Sequence, residues 1–351
     1  MNTHNAPLRR GWTTGACAAG AARAAFEALL CGHFPDPVEV KLPGGRRPSF
    51  ALARQESGDG WALAGIIKDA GDDPDVTHGA LICSRVRRTA PGSGITFRAG
   101  PGVGTVTRPG LPLPAGEPAI NPKPREIIRT AITEAAKLHG AADDVEIEVS
   151  IPNGEIIAQK TLNPRLGIVG GLSILGTTGI VIPYSCSAWI HGIHNGIDVA
   201  RAEGLTHIAG ATGTTSEAAI LRLHQLPELA LIDMGDFVGG MLKHLRTHPV
   251  ERVSIAGGFG KMTKLAQGLL DLHSKRGSVD MEFLSRLAGQ DLTAANTALE
   301  ALHRAPDLPE KVAALAWKTA SATLDGAPIQ LEIVIFDREG GLLARTPFTP
   351  V

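Results

Sequence analysis

Aromatic residues are scarce in this 351-residue chain, at 4% with a single tyrosine. That scarcity excludes the stacked aromatic platforms on which single-stranded nucleic acids bind. An excess of charge is also missing: 34 Lys+Arg against 35 Asp+Glu leave a formal net charge of −1. With no global field to neutralise phosphates, a nucleic-acid partner is not expected. The four cysteines, Cys17, Cys31, Cys83 and Cys186, show no CxxC spacing, which in a chain of this size reads as reduced thiols in a cytoplasmic protein. The N-terminal MNTHNAPLRRGWTTG lacks the apolar run of a signal peptide. Leu166 to Ile197 carries no Lys, Arg, Asp or Glu, but its seven glycines and Pro183 interrupt any membrane-spanning cylinder. No membrane association is expected.

What is present is an ordinary folded composition, 43% hydrophobic and 20% charged, with 42 glycines and 24 prolines. The length suggests roughly two domains, and the glycine excess belongs in turns and backbone-exposing loops. Residues 12–32 read as an Ala-rich helix that Thr13 or Thr14 starts. From about 37 to 107, short β-prone runs (VEVKL, SFALA, ALAGIIK, GITFRA) alternate with Gly/Pro/Asp turns. A second helix fits Pro124 to His139, with Pro near its start and Gly140 past its end. VEIEVSI and EIIAQK read as a hairpin turned by Asn153-Gly154. After about residue 164 the rhythm becomes strand, Gly-rich turn, helix. Strands are expected near 168–175, 206–210, 229–233 and 251–256, and helices near 184–203, 215–225, 236–247 and 261–273. Further helices between 281 and 324 and a hairpin around Glu339-Gly-Gly341 complete the chain. The expected fold is therefore an α+β N-terminal domain (1–164) followed by an α/β Rossmann-like domain with a mostly parallel sheet (165–351).

In open α/β sheets, ligands bind beyond the carboxyl ends of the strands. Three Gly-rich loops are placed there: Gly176-Thr177-Thr178-Gly179, Gly210 to Thr215 with Gly213, and Gly257-Gly258-Phe259-Gly260-Lys261. Glycine lets backbone approach a ligand, although turns also need glycine for conformational reasons alone. The dinucleotide fingerprint lacks its third glycine, and Lys261 is followed by Met262 rather than the Ser/Thr of a P-loop. An adenosyl ligand without phosphates would use such loops and an acidic strand end, for which Asp233 is the candidate.

Lys68-Asp-Ala-Gly-Asp-Asp-Pro-Asp-Val-Thr-His78 crowds four aspartates before a histidine. A Mg²⁺ or Ca²⁺ loop, a solvated turn, and an acid/base group built from Asp72, Asp73 and His78 all fit; the last is favoured. From Ala80 to Arg129, eight basic residues oppose two acidic ones. Arg85, Arg88, Arg108, Lys123 and Arg125 are the candidates for pairing the carboxylates of a substrate, against the alternative of a solvated strand face. Cys186, His191 and His194 are read as ordinary surface or core residues of a helix rather than a soft metal site.

Trp12-Thr-Thr-Gly15, the 68–78 stretch, Gly102 to Pro112, Gly116 to Pro122, Leu172 to Ile180 and Gly257 to Lys261 together resemble the CbiD family, in order, from about residue 8 to 346. The resemblance departs at Tyr184 to His194, where the family carries an acidic, Ser/Glu-rich stretch. It implies a cobalt-precorrin-5B C(1)-methyltransferase activity, giving cobalt-precorrin-6A in anaerobic cobalamin biosynthesis. S-adenosyl-L-methionine is the implied co-substrate and a cobalt-precorrin tetrapyrrole the implied partner. Thr13 and Thr14 join the substrate-binding set. Cobalt arrives with the substrate, so no protein metal ligands are expected. A homo-oligomer is left open. The alternatives are a non-catalytic tetrapyrrole-binding protein and a nucleotide-dependent oxidoreductase, the latter disfavoured by the missing fingerprint.

Overall fold

The computed structural model describes residues 7–351. The part of the N-terminal reading that concerns residues 1–6 lies outside them. The chain divides into two compact units, one ending at Ser185 and one running Cys186–Val351.

In the first unit, α1 (Thr14–Cys31) is the Ala-rich helix, and most of its residues are buried. Thr13 caps it by accepting from the Ala16 amide at 3.2 Å, and Gly32 ends it in the left-handed region. A helix apolar all round must be covered all round. Here a sheet covers one side and α2 (Pro122–His139) lies against another, sharing one core with Phe26, Ile66, Ile82, Ile128 and Ile147. The small side chains set the close approach: a Cβ on Gly20 would lie 2.8 Å from Ile66 Cδ1. The sheet contains β1 (Arg54–Gly58), β2 (Trp61–Ile67), β3 (Leu81–Arg88), β4 (Ile95–Ala99) and β5 (Val145–Ser150), in the order β1-β2-β3-β5-β4. Only the β5/β4 pairing is parallel. The buried–intermediate alternation of β5 is the period-2 pattern of a sheet with one covered face.

Two sequence expectations fail here for visible reasons. The hairpin after β5 is absent. Asn153 takes a left-handed φ of 60° and Gly154–Ala158 forms a short helix, with Gly154 so close to Gly102 that a Cβ would lie 2.1 Å from its carbonyl oxygen. The strand expected over 168–175, and with it the boundary at 164/165, also moves. Ile168–Val169 pairs with Thr105–Val106, Gly171–Leu172 with Gly102–Val103, and Ile180–Val181 with Gly11–Trp12. Residues 165–185 thus complete the first unit.

The second unit alternates as expected: α3 (Cys186–Ala202), β6 (His207–Ala211), α4 (Thr214–His224), β7 (Leu231–Ile232), α5 (Val238–Thr247), β8 (Arg252–Gly258) and α6 (Phe259–Ala266). Short helices follow, then α7 (Leu308–Leu324), β9 (Gln330–Phe336), β10 (Leu342–Arg345) and β11 (Thr349–Pro350). The sheet is mixed. Strands β7-β6-β8-β9 run parallel, while β10 and β11 pair antiparallel with β9. Near-continuous burial along β8 and β9 is what parallel strands covered on both faces require. Val253, Ile255, Ile333 and Ile335 face the larger core with α5, α6 and α7, whereas Ala256, Val334 and Phe336 face α4. On the α4 side a buried polar chain runs from His207 Nε2 to Ser254 Oγ (2.9 Å). The hydroxyl donates to Glu332 Oε2 (2.8 Å), which also contacts His224 Nε2 (2.7 Å). Among the described residues, no helix is long and apolar enough to cross a membrane.

Candidate active site

Motifs more than 100 residues apart meet at the start of α1. The Trp12 amide donates to Asp69 O (2.7 Å), the Thr13 amide to Gly179 O (3.0 Å) and the Gly15 amide to Leu175 O (3.1 Å). The Thr14 hydroxyl accepts from the Leu175 amide at 3.0 Å. These approaches leave no room for side chains. A Cβ on Gly11 would lie 2.0 Å from Ala70 C, and one on Gly176, at φ +119°, would lie 2.3 Å from Thr13 Cβ. The loop Gly176–Gly179 is therefore not a βα turn of the second sheet, as its sequence suggested. It packs on the α1 N-terminus, with Gly179 over Leu42 and Thr178 bonded to Ile180. Thr13 and Thr14, expected to hold substrate, are buried and engaged in this packing.

The acidic stretch lies beside them, and each aspartate has its own donor. Asp69 pairs with the Arg9 guanidinium and accepts from the Gly71 amide at 2.9 Å. These two interactions hold its carboxyl below the ordinary range. Asp72 accepts from the Arg9 amide (2.6 Å) and Asp73 from the Tyr184 amide (2.7 Å). Asp75 receives the ammonium of Lys68 (2.7 Å), the Thr77 hydroxyl (2.6 Å) and the Thr77 amide (2.7 Å). Burial opposes its ionisation, but the Lys68 charge and these hydrogen bonds outweigh it and set the carboxyl below its ordinary range. Lys68 is 1% exposed, so Asp75 neutralises a charge that water does not reach. The His78 Nδ1 accepts from the Ala70 amide at 3.1 Å, which leaves the proton of the neutral ring on Nε2. The neutral His78 ring thus presents Nε2–H as a donor, with Asp72 and Asp73 the candidates for a base.

The basic stretch is dispersed. Arg85 and Arg87 project from the same face of β3, Arg85 lying 4.5 Å over the Trp61 ring and Arg87 meeting Glu146 at 3.1 Å. Arg88 is exposed at the strand end. Arg108 packs along Gly167. Lys123 pairs with Glu126 at 2.7 Å. Arg125 is tied to Glu117 Oε2 (2.8 Å) and to the carbonyls of Ile120 (2.8 Å) and Pro118 (3.1 Å). Its guanidinium braces the turn before α2, a structural duty that its sequence setting did not reveal.

In the second unit, three adjacent parallel strands end together. Thr212-Gly213 follows β6, Asp233 follows β7, and Gly257-Gly258 ends β8. The Thr212 amide donates to Ala256 O (3.1 Å) and the Gly235 amide to Ala211 O (3.1 Å), which fastens this edge. Gly257 is close to Thr212, whose Oγ1 would lie 2.7 Å from an added Cβ. A Cβ on Gly213 or Gly258 would meet nothing within 4 Å, and one on Gly260 only Ala298 Cβ at 3.7 Å. The helices α4 and α6 start at Gly213 and Gly258 with no side-chain cap, so their first amides are directed to what lies beyond the edge. Lys261 does not face that edge. Its ammonium binds Asp236 and the Leu272 carbonyl (3.1 Å). The indole of Trp189 donates to Asp233 O at 2.9 Å and is half exposed.

Sequence reasoning missed Arg9, Lys68, Asp75, Tyr184 and Trp189. Only Lys68 and Asp75 carried a signal, a lone cation opening an acidic run. Arg9 and Tyr184 become relevant through pairings at sequence separations of 60 and 111.

These arrangements define an α/β protein with an open, glycine-lined sheet edge in one unit and an aspartate-rich, closely tied motif cluster in the other. The CbiD family model matches residues 1–183 and the CbiD C-terminal domain model residues 271–347. The chain belongs to the CbiD family. It is 61% identical over 98% of its length, and 99% of the relative's, to a cobalt-precorrin-5B C(1)-methyltransferase of Methylorubrum extorquens. It is also 61% identical to a protein of that name from Agrobacterium fabrum, over 100% of this chain and 96% of the relative. A third from Halorhodospira halophila is 58% identical over 96% and 94%. Among solved structures, the cobalamin biosynthesis protein CbiD of Archaeoglobus fulgidus is 27% identical and covers 86% of this chain and 84% of its own, with a TM-score of 0.41.

Proposed function

We propose that the chain is an S-adenosyl-L-methionine-dependent methyltransferase acting on C-1 of cobalt-precorrin-5B. One observation carries this reading: relatives bearing that activity in their names match the chain at 61% identity from end to end. The physical features agree with it.

The residues at the carboxyl edge of the second sheet, read as a Rossmann-like donor site, fit an adenosyl group. Gly213 and Gly258 leave open space above bare backbone, and their uncapped helix starts offer amide donors. Asp233 at the end of β7 would hold ribose hydroxyls. Neither phosphate signature is present, as suits a donor without phosphates. Gly257 and Gly260 would shape this cradle, while Lys261 positions it through Asp236 and Leu272. When bound, the donor supplies a methyl already activated on a sulfonium sulfur, so the protein's share is alignment, worth up to ~7–11 kcal/mol in favourable cases.

In the first unit, Arg85, Arg88 and Lys123 would receive carboxylate arms of the macrocycle, and the exposed Leu175, Ile182 and Tyr184 offer apolar surface beside the motif cluster. Asp72 and Asp73 each hold a backbone amide through one oxygen, leaving carboxylate capacity to orient or deprotonate the ring periphery. His78 Nε2–H would donate to a substrate oxygen or nitrogen.

The test is anoxic incubation of the chain with methyl-labelled S-adenosyl-L-methionine and cobalt-precorrin-5B, followed by mass measurement of the macrocycle. Label in the macrocycle, lost when either reactant is omitted, is expected. Tight corrinoid binding with no label transferred would instead favour a tetrapyrrole-binding role.

A further inference from the structure

We propose that Asp198, His244 and His248 form a binding site for a first-row divalent cation of borderline softness, Zn²⁺ or Co²⁺. The three residues are brought together by two packed helices. Asp198 lies on α3, His244 in the last turn of α5, and His248 just past it. One donor atom from each lies within 4.8 Å of the others, the single such group of three among the described residues. Around a tetrahedral ion with ligands at ~2.1 Å, donor atoms stand ~3.4 Å apart. Binding therefore draws the donors together by up to about an ångström and a half and turns the His248 ring out of its parallel stack on His244, because an ion lies in the plane of each imidazole that holds it.

The hydrogen bonds prepare the donors. His248 Nδ1 lies 3.2 Å from the His244 carbonyl oxygen and 2.9 Å from Thr247 Oγ1. A carbonyl only accepts, so Nδ1 carries the proton and Nε2 presents its lone pair. A backbone carbonyl fixing the far nitrogen is the arrangement that orients metal-ligating imidazoles. His244 Nε2 lies 2.8 Å from Asp198 Oδ1, and a cation would replace the proton the two share. Their side chains are 12% and 30% exposed, sheltered yet reachable.

The imidazoles stack in a column. His194 of α3 lies 4.2 Å from His244 with planes 11° apart, and His248 lies 4.1 Å from His244 at 8°. Two imidazoles and one carboxylate with water completing the shell suit Zn²⁺ or Co²⁺ far better than Mg²⁺ or Ca²⁺, which prefer oxygen donors. The site would staple α3 to α5. It is separate from the residues assigned to methyl transfer and stands or falls independently of that assignment.

The test uses the full-length chain, dialysed against chelator and titrated with Co²⁺, with Zn²⁺ as competitor and Mg²⁺ as control. One equivalent is expected to bind, with visible d–d absorption, no thiolate charge-transfer band, displacement by Zn²⁺, and a raised Tm. Asp198→Asn and His248→Gln should each weaken binding at least about tenfold, His244→Ala combined with His248→Ala should abolish it, and the exposed His273→Ala should leave it unchanged. Far-UV circular dichroism of the metal-free variants checks folding; should the double variant fail to fold, the two conservative single variants decide. A thiolate band, which would place the ion at Cys31 or Cys186, overturns the proposal. So does binding that the variants do not change, or a Kd weaker than about 1 mM.

Discussion

Two glycine-rich loops that look alike in the sequence do opposite things. Gly176–Gly179 is closed: its glycines exist because Thr13 and Leu42 occupy the space where side chains would be, and Thr13 caps the helix it abuts. The edge formed by Gly213 and Gly258 is open, its helix starts lack side-chain caps, and added carbons there would meet nothing. Glycine in the first place permits packing and in the second permits access. Only the second arrangement leaves its helix starts uncapped and open.

The contrast can be broken most forcefully in the closed cluster. Asp75→Asn strands the buried Lys68 ammonium and should cost about 3–5 kcal/mol, read by urea unfolding; a loss near zero would mean that Lys68 reaches water. Gly176→Ala should cost about 3 kcal/mol through its clash with Thr13 and its left-handed φ, whereas Gly258→Ala should stay within about 0.5 kcal/mol. Equal costs would erase the distinction drawn between the two loops. Gly258→Val is the sharper tool, because it should leave Tm unchanged yet weaken S-adenosylhomocysteine binding at least about tenfold in calorimetry. Unaltered affinity there would remove the glycine edge from the donor site.

Asp73→Asn should slow single-turnover methyl transfer by about 10²-fold if the carboxylate acts as a base. His78→Asn should slow it less, since the ring is set as a donor. Unchanged rates in both would end a chemical role for the acidic stretch.

The smallest effect concerns the buried polar chain of the second unit. Burial, then the neighbouring His224 and Arg252, depress His207 from 6.5 to about 4. The folded state therefore favours the neutral ring while the unfolded chain takes up a proton more readily. Stability from this group is full above pH 6.5 and is lost as pH falls through about 4. Because the ring is half exposed, the loss should be about 1–2 kcal/mol. Unfolding of wild type and His207→Gln at about pH 7.5 and about pH 4.5 measures it, the variant being the less acid-sensitive.

Local pattern carried the helices and the parallel strands of the second unit, because a 3.6-residue period, terminal Gly or Pro, and buried Val/Ile runs are properties of contiguous sequence. It also carried the strand ends at Gly213, Asp233 and Gly258, because a βα turn is marked by residues contiguous with its strand. What it could not carry was pairing across distance. Residues 165–185 read as the start of a new domain, yet they complete the first unit through two-residue strands too short to show a period. The charges of Arg125 and Lys261 read as ligand contacts, but tertiary packing directs them to backbone carbonyls and to Glu117 and Asp236. Asn153-Gly154, a good hairpin signal, became a helical turn because Gly102 occupies the adjacent space. The sequence by itself carried the family resemblance, through motifs quoted in order, and the periodic elements, through local pattern. Only the folded chain decided which aspartates are neutralised, which glycines are open and which histidines stand together, because each depends on atoms that sequence distance separates and packing alone brings into contact.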